Sequence, residues 1–424
     1  MAKKKVEKPR RVPTKRLLSH WQREKKKQRI TFIIGACIVS AALIVLGAGY
    51  YISDYQPRHE VVIKVNDTEY DMSYYIDIIK LSTGGEGIYY YYAVVDDVEQ
   101  SIINNELIRQ HAAKLGVTVD DSEIDEILEG SGSSGDDVVK DVVRTQLLLG
   151  KLNDEYFEHE VPVSAEQRHI TAMFLESEKQ ASEVRARLQA GEDFAELAGE
   201  LSLEGFTREK EGDLDWRTED VLTLMLGSST PVEYAFGSDA GVLSEPILDE
   251  ETNKNVGYWF VQVVERKDTP EQAHVFVILV DDEEKAQQVK EKLDAGEHFG
   301  TVAREFSVHG ESKDFDGDFG WVTVGMVTPA FDEFAFDYDI DLGTISEPIR
   351  DEDTATSGGY WLVKVLAVDE GREIEEDDRE LLKAEAFRSW ASSLWDAPEN
   401  SVVASYMDDE QKRWAADKAY KELQ

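Results

Sequence analysis

Three features of the 424-residue sequence predict an α+β protein on a membrane tether: an uncharged 23-residue segment, a pattern that recurs at an offset of 105 residues, and apolar stripes of helical spacing at both ends of what remains. Residues 1–29 carry thirteen Lys/Arg and two acids, a net +11, so the rest of a chain whose total is −41 holds −52. Between these regimes Ile30 to Ile52 has no charged residue. As a helix it would be roughly 35 Å long, enough to cross a ~30 Å hydrocarbon core. The basic flank would stay cytoplasmic, and Tyr50 and Tyr51 fall where an outer interfacial belt belongs. A cleaved signal peptide needs a shorter apolar region and a small-x-small site, and Gly47-Ala48-Gly49 is a poor one, so an uncleaved single-pass anchor is expected. The bulk of the chain is then extracytoplasmic. Its acidity repels phosphate backbones and excludes nucleic acid as the main ligand. The lone cysteine, Cys37, excludes an intramolecular disulfide framework and any cysteine metal cage.

Residues 53–163 are expected to form an N-terminal helical segment. A short strand at Val61 to Val65 precedes helical runs through Val98, Ile102, Leu107 and Leu115, with a helix start near Asp120 and another helix over Val138 to Phe157. Gly130 to Gly135 reads as a flexible connector. Residues 371–424 are expected to supply returning helices, Glu375 to Trp395 and Asp408 to Leu423, that pack on the N-terminal segment. Tyr89 to Tyr92 is a sticky run that serves equally as a contact for unfolded chains or as part of a half-buried element.

The repeat organises residues 164–269 and 270–370 as two tandem domains. His169-Ile170 through Gly191-Glu192-Asp193-Phe194 is echoed by His274-Val275 through Gly296-Glu297-His298-Phe299 at an offset of 105. Tyr234-Ala235-Phe236 answers Phe334-Ala335-Phe336 at 100, so the first copy has five extra residues. Ser244-Glu245-Pro246-Ile247 and Gly257-Tyr258-Trp259 answer Ser346-Glu347-Pro348-Ile349 and Gly359-Tyr360-Trp361 at 102. Val275 to Val280 and Tyr360 to Leu366 read as strands and Glu283 to Leu293 as a helix, which gives each copy strands at both ends and helices between.

Gly317-Asp318-Phe319-Gly320-Trp321, Pro329-Ala330-Phe331 through Phe336, Gly343 through Pro348 and Gly359-Tyr360-Trp361 together resemble the parvulin-type (PpiC, rotamase) peptidyl-prolyl isomerases. With the helical segments on either side, residues 60–424 resemble extracytoplasmic foldase chaperones of the SurA and PrsA kind. The resemblance implies an apolar proline pocket and a hydrogen-bonded histidine pair, one on the first strand and one on the last. Ala172 and Val277 stand at the first of those positions, and Trp259 and Trp361 at the second. His169 and His274 lie three positions early, on the opposite sheet face. The family's acidic or cysteine position falls on Glu204 and His309, which makes His309 the candidate catalytic residue. Met326, Phe331 and Trp361 are the candidate substrate-binding residues, expected to line a concave pocket in copy two. Phe336 and Trp321 read as core. Pro231 replaces the aromatic in copy one, whose pocket should be filled or distorted.

Prolyl isomerisation needs a pocket that favours the twisted amide over a ~18–20 kcal/mol barrier, and neither nucleophile nor cofactor. No cofactor and no metal are expected: Asp314 to Asp318 lacks the glycine and glutamate of a calcium loop. The expected function is that of a membrane-anchored chaperone for unfolded or proline-containing polypeptides, with isomerase activity weak or lost. An active isomerase working through domain two and a scaffold for an envelope complex are the alternatives.

Overall fold

The computed structural model describes residues 15–84, 87–131, 135–268, 271–397, 400 and 403–423. The first fourteen residues of the basic tail and the centre of the expected glycine-serine connector lie outside them. The chain divides into two compact units, residues 1–157 with 387–424, and residues 158–386.

In the first unit, helix Lys15–Tyr50 continues through a wide π-type turn, Tyr51–Tyr55, into Gln56–Arg58. Thr31–Arg58 is long and apolar enough to cross a membrane. Strand β1 (Val61–Val65) then pairs with β2 (Thr68–Asp71) through a tight turn at Asn66, whose φ is 54°. Asp71 caps the next helix, Met72–Thr83, by accepting from the Tyr74 amide at 3.0 Å. Helix Val95–Ala112 buries Val98, Ile102, Ile103, Leu107 and Ile108. The tyrosine run forms helix Ile88–Ala93, with Tyr91 fully buried and Tyr89 at 85% exposure, so the run is a half-buried helical element.

The second unit begins with β3 (Ser164–Leu175) and the helices Glu178–Gln189, Phe194–Leu201 and Gly205–Glu209. It continues through β4 (Asp213–Arg217), helices Glu219–Leu226 and Thr230–Gly237, and the long β5 (Ile247–Asp268). The second copy repeats this with β6 (Glu271–Val280), helices Glu283–Asp294, Phe299–Phe306 and Gly310–Lys313, β7 (Asp318–Val322), helix Pro329–Ala335 and β8 (Ile349–Glu373). The helix starts follow local chemistry: Ser177, Asp193, Asp282 and His298 stand at equivalent N-caps in the two copies, and each accepts a backbone amide.

All six strands form one sheet, in the order β4-β3-β8-β5-β6-β7. That order exchanges the closing strands. The opening strand of copy one, β3, pairs along its length with the closing half of β8 from copy two, as in Ala172 opposite Val363 and Phe174 opposite Trp361. The opening strand of copy two, β6, pairs with the closing half of β5 from copy one, as in Val275 opposite Val263 and Val277 opposite Val261. Residues 250–257 and 352–359 are the arms that carry each strand across, and they pair with one another at Asn253–Ser357, Lys254–Thr356 and Asn255–Ala355. Each core is accordingly built from both copies. One face joins Ile170, Ala172, Phe174 and Leu214 to Trp361, Val363 and Val365; its counterpart joins Val275, Val277, Val322 and Phe331 to Val263. Gly359 sits where an added Cβ would lie 2.5 Å from the Leu175 carbonyl oxygen, so only glycine lets the arm pass there.

The chain returns to the first unit within helix Glu376–Ser393. Phe387 and Trp390 pack edge-on against Phe157 at 5.8 and 5.9 Å. Strand β9 (Val403–Ser405) completes a three-stranded sheet, β2-β1-β9. The last helix, Asp409–Leu423, lies against the tyrosine helix, with Tyr420 5.4 Å from Tyr91 and Asp417 accepting from the Tyr92 hydroxyl at 2.6 Å.

Candidate functional site

The exchange decides which side chains meet where the resemblance places a pocket. On the sheet face of copy one, Ala172 and Trp361 come together, because the alternation of β3 and β8 turns Ala172, Phe174, Trp361 and Val363 to one side. The Phe174 and Trp361 rings meet at a 45° tilt with their centres 4.9 Å apart. Leu222 and Leu226, from the helix that holds the extra residues of copy one, fill the space above them, and Pro231 is buried in the next helix.

Trp361 is fully buried, and its indole N–H donates to Asp249 Oδ2 at 3.0 Å. Asp249, 4% exposed, also accepts from Ser228 Oγ at 2.6 Å and Thr252 Oγ1 at 2.8 Å, and its other oxygen accepts the Glu251 and Thr252 amides. Burial pushes this carboxyl up, but the bonds from Ser228, Trp361 and Thr252 outweigh it and hold it at about 2. The tryptophan at a family histidine position thus serves as a latch that ties the exchanged strand of copy two to the arm of copy one. Asp351 repeats the arrangement in copy two, accepting from Thr354 Oγ1 at 2.7 Å and from the Asp353 amide at 2.9 Å.

On the copy-two face Val277 is buried, and its amide donates to the Gly317 carbonyl at 2.7 Å. The expected pocket of Met326, Phe331 and Trp361 does not form. Phe331 is fully buried among Val263, Val275, Val277, Leu279 and Val322, Met326 is 57% exposed, and Trp361 belongs to the other core because β8 crosses over. Val327, rather than Met326, packs toward Phe331. Trp259 takes the exchanged position here by its backbone, opposite Leu279 and Ile349; its side chain lies outside the described residues.

His309 is also occupied. It caps helix Gly310–Lys313, with Nδ1 3.0 Å from Ser312 Oγ and accepting the Ser312 amide at 3.4 Å, and its ring meets Phe319 edge-on at 4.8 Å. Burial, opposed by nearby Glu311, lowers its pKa, so near neutral pH it is an uncharged cap. Glu204 does the same work in copy one, accepting the Phe206 and Thr207 amides at 2.8 and 2.6 Å. His169 and His274 bind Asp213 and Asp318 at 2.7 and 2.8 Å on the sheet edges. Trp321, expected in the core, is half-buried under the Lys267 ammonium 3.4 Å from its ring centre, while Phe336 packs partly buried against the Phe331 cluster.

The reasoning from sequence missed Asp249 and Lys254. The signal for Asp249 was the repeated Asp249-Glu250-Glu251-Thr252 and Asp351-Glu352-Asp353-Thr354, followed in each copy by more residues than a hairpin turn uses.

A family model, "Rotamase: PPIC-type PPIASE domain", matches residues 166–264 and 279–367. A chaperone SurA from Methylobacillus flagellatus is 27% identical over 353 residues, which cover 75% of this chain and 71% of that one. A foldase protein PrsA from Halalkalibacterium halodurans is 33% identical over 133 residues, 31% of this chain and only 38% of that protein. The crystal structure of the peptidylprolyl isomerase PrsA from Bacillus cereus covers 87% of this chain and 99% of its own, at 12% identity and a TM-score of 0.30. A rotamase domain is thus matched at both copies of the repeat, and SurA and PrsA are among the proteins this chain is similar to, so residues 166–264 and 279–367 are parvulin-type domains in a SurA/PrsA-like chain.

Proposed function

We propose that this protein is a membrane-tethered foldase that holds unfolded, extracytoplasmic, proline-containing polypeptides and has lost most or all prolyl isomerase activity. The observation that carries this reading is the occupation of both rotamase sites: Trp361 with Leu222 and Leu226 fills one, and Phe331 is sealed in the other. A substrate proline would have to displace a core aromatic whose burial is worth about 1.5–3 kcal/mol. The likeness to SurA and PrsA supports chaperone work on clients, and the Thr31–Arg58 helix with its basic flank supports the tether, N-terminus inside. The strongly acidic surface would keep a client-laden protein soluble and dispersed.

The full chain in detergent micelles is expected to suppress aggregation of a chemically unfolded client at roughly stoichiometric amounts, and to leave the membrane fraction when residues 30–52 are deleted. No suppression at a several-fold excess would end the chaperone reading. A deleted chain that stays with membranes would end the tether.

A further inference from the structure

Lys254 is 2% exposed, yet its ammonium has one hydrogen bond, to the Glu176 carbonyl oxygen at 3.2 Å, and no carboxylate within ion-pair distance among the described residues. A buried ammonium without a carboxylate is costly. The nearest acids are committed elsewhere. Asp281 takes Lys285 on both oxygens at 2.8 Å, Glu176 takes Arg350 at 2.7 Å and the Glu283 amide at 2.8 Å, and Asp282 caps its helix. Burial accordingly lowers the Lys254 pKa despite the negative charge of Asp281, Glu176 and Asp282 nearby.

The crossing arms do not demand a lysine here. At the 102-residue offset copy two has Thr356, which satisfies itself by donating to the Val256 carbonyl. Lys254 lines a cleft of about 450 Å³ between the arms and the helices of copy one, together with Asn253, Asn255, Arg350, Leu203 and Arg208. Arg208 has no acidic partner among the described residues, whereas Arg350 already bonds Glu176 and Glu352. Glu200 and Glu352 lie on the wall as well, so the cleft admits one anion held between Lys254 and Arg208 more readily than a highly charged ligand. Such a cleft in a chain of net charge −41 selects for a local anion rather than a general polyanion.

We propose that this cleft binds a carboxylate of an extended polypeptide client, paired with Lys254 and Arg208, with Leu203 against the neighbouring apolar side chain. The assignment rests on the chaperone reading above and specifies which part of a client is gripped. The carboxylate would come from the client's C-terminus or from an acidic side chain.

Fluorescent anisotropy with the full chain in micelles tests it, using three apolar proline-containing peptides: one with a free C-terminus, its C-terminal amide, and the amide with an internal glutamate. One of the two carboxylate-bearing probes is expected to bind at least tenfold more tightly than the plain amide, and which one identifies the source. Lys254→Met and Arg208→Gln should each abolish that preference. Lys254→Met should melt no lower than the parent, since it removes a buried charge that no ion pair holds, and this separates binding from folding. Equal binding of all three peptides, or a preference that survives both substitutions, would overturn the assignment. If aggregation suppression persists in that case only the cleft is wrong; if it is absent too, the chaperone reading falls with it.

Discussion

Thr171→Cys with Lys364→Cys, in a Cys37→Ser background, is expected to form a disulfide on mild oxidation. Thr171 on β3 and Lys364 on β8 are direct antiparallel partners. Such pairs bring Cα atoms to about 4.5–5.5 Å, within disulfide reach. Their sequence separation makes the closed loop nearly 200 residues long, so the cross-link should stabilise the second unit by up to about 5 kcal/mol if it adds no strain. The matched control is Thr171→Cys with Gln262→Cys, because Gln262 stands 102 residues before Lys364 and would face Thr171 if each copy kept its own closing strand. The exchanged sheet places Gln262 opposite Phe276 instead. A non-reducing gel should therefore show the 171–364 cross-link and not the 171–262 one. The reverse result would mean two self-contained domains in series.

Asp249→Ala should cost roughly 3 kcal/mol. It strands the buried Trp361 N–H, removes the acceptor of Ser228 and Thr252, and undoes the turn that starts the arm. An unsatisfied buried donor alone costs about 1–3 kcal/mol. In a unit of this size that is a fall in melting temperature of about 6–12 °C. Glu250→Ala, one residue on and exposed, should change little. The carboxylate also sets an acid limit. Its folded pKa of about 2 lies below the ~3.9 of an unfolded aspartate, so its contribution is present above about pH 4 and is lost as pH falls toward 2. Asp249→Asn, which keeps an acceptor for the indole, should flatten stability over that window while costing less than alanine at neutral pH.

The elements were legible because their periodicity is strong. Val275 to Val280 falls within β6, and the helix expected over Glu283 to Leu293 ends one residue later at Asp294. The exchange was not legible, because both copies carry the same Gly-Tyr-Trp closing strand, and a period of two says which face is buried without saying whose strand lies beside it. The same ambiguity hid the fate of the site. Phe331 as a pocket wall and Phe331 as a core residue have one sequence signature, and Trp361 was assigned to the copy in which it is written rather than the one into which it folds. Lys254 sits in an acidic stretch, Asp249 to Asn255, where a lysine reads as a solvated counter-charge; its 2% exposure comes from the crossing of two arms far apart in sequence.

The central claim is that this parvulin scaffold has its rotamase sites filled and is kept for holding chains rather than isomerising them. The measurement that tests it most directly is a protease-coupled proline-peptide assay on the full chain in micelles, read against uncatalysed isomerisation, which takes tens to hundreds of seconds. The filled sites predict a rate indistinguishable from the spontaneous one, unchanged by His309→Ala. A saturable acceleration that His309→Ala abolishes would contradict it.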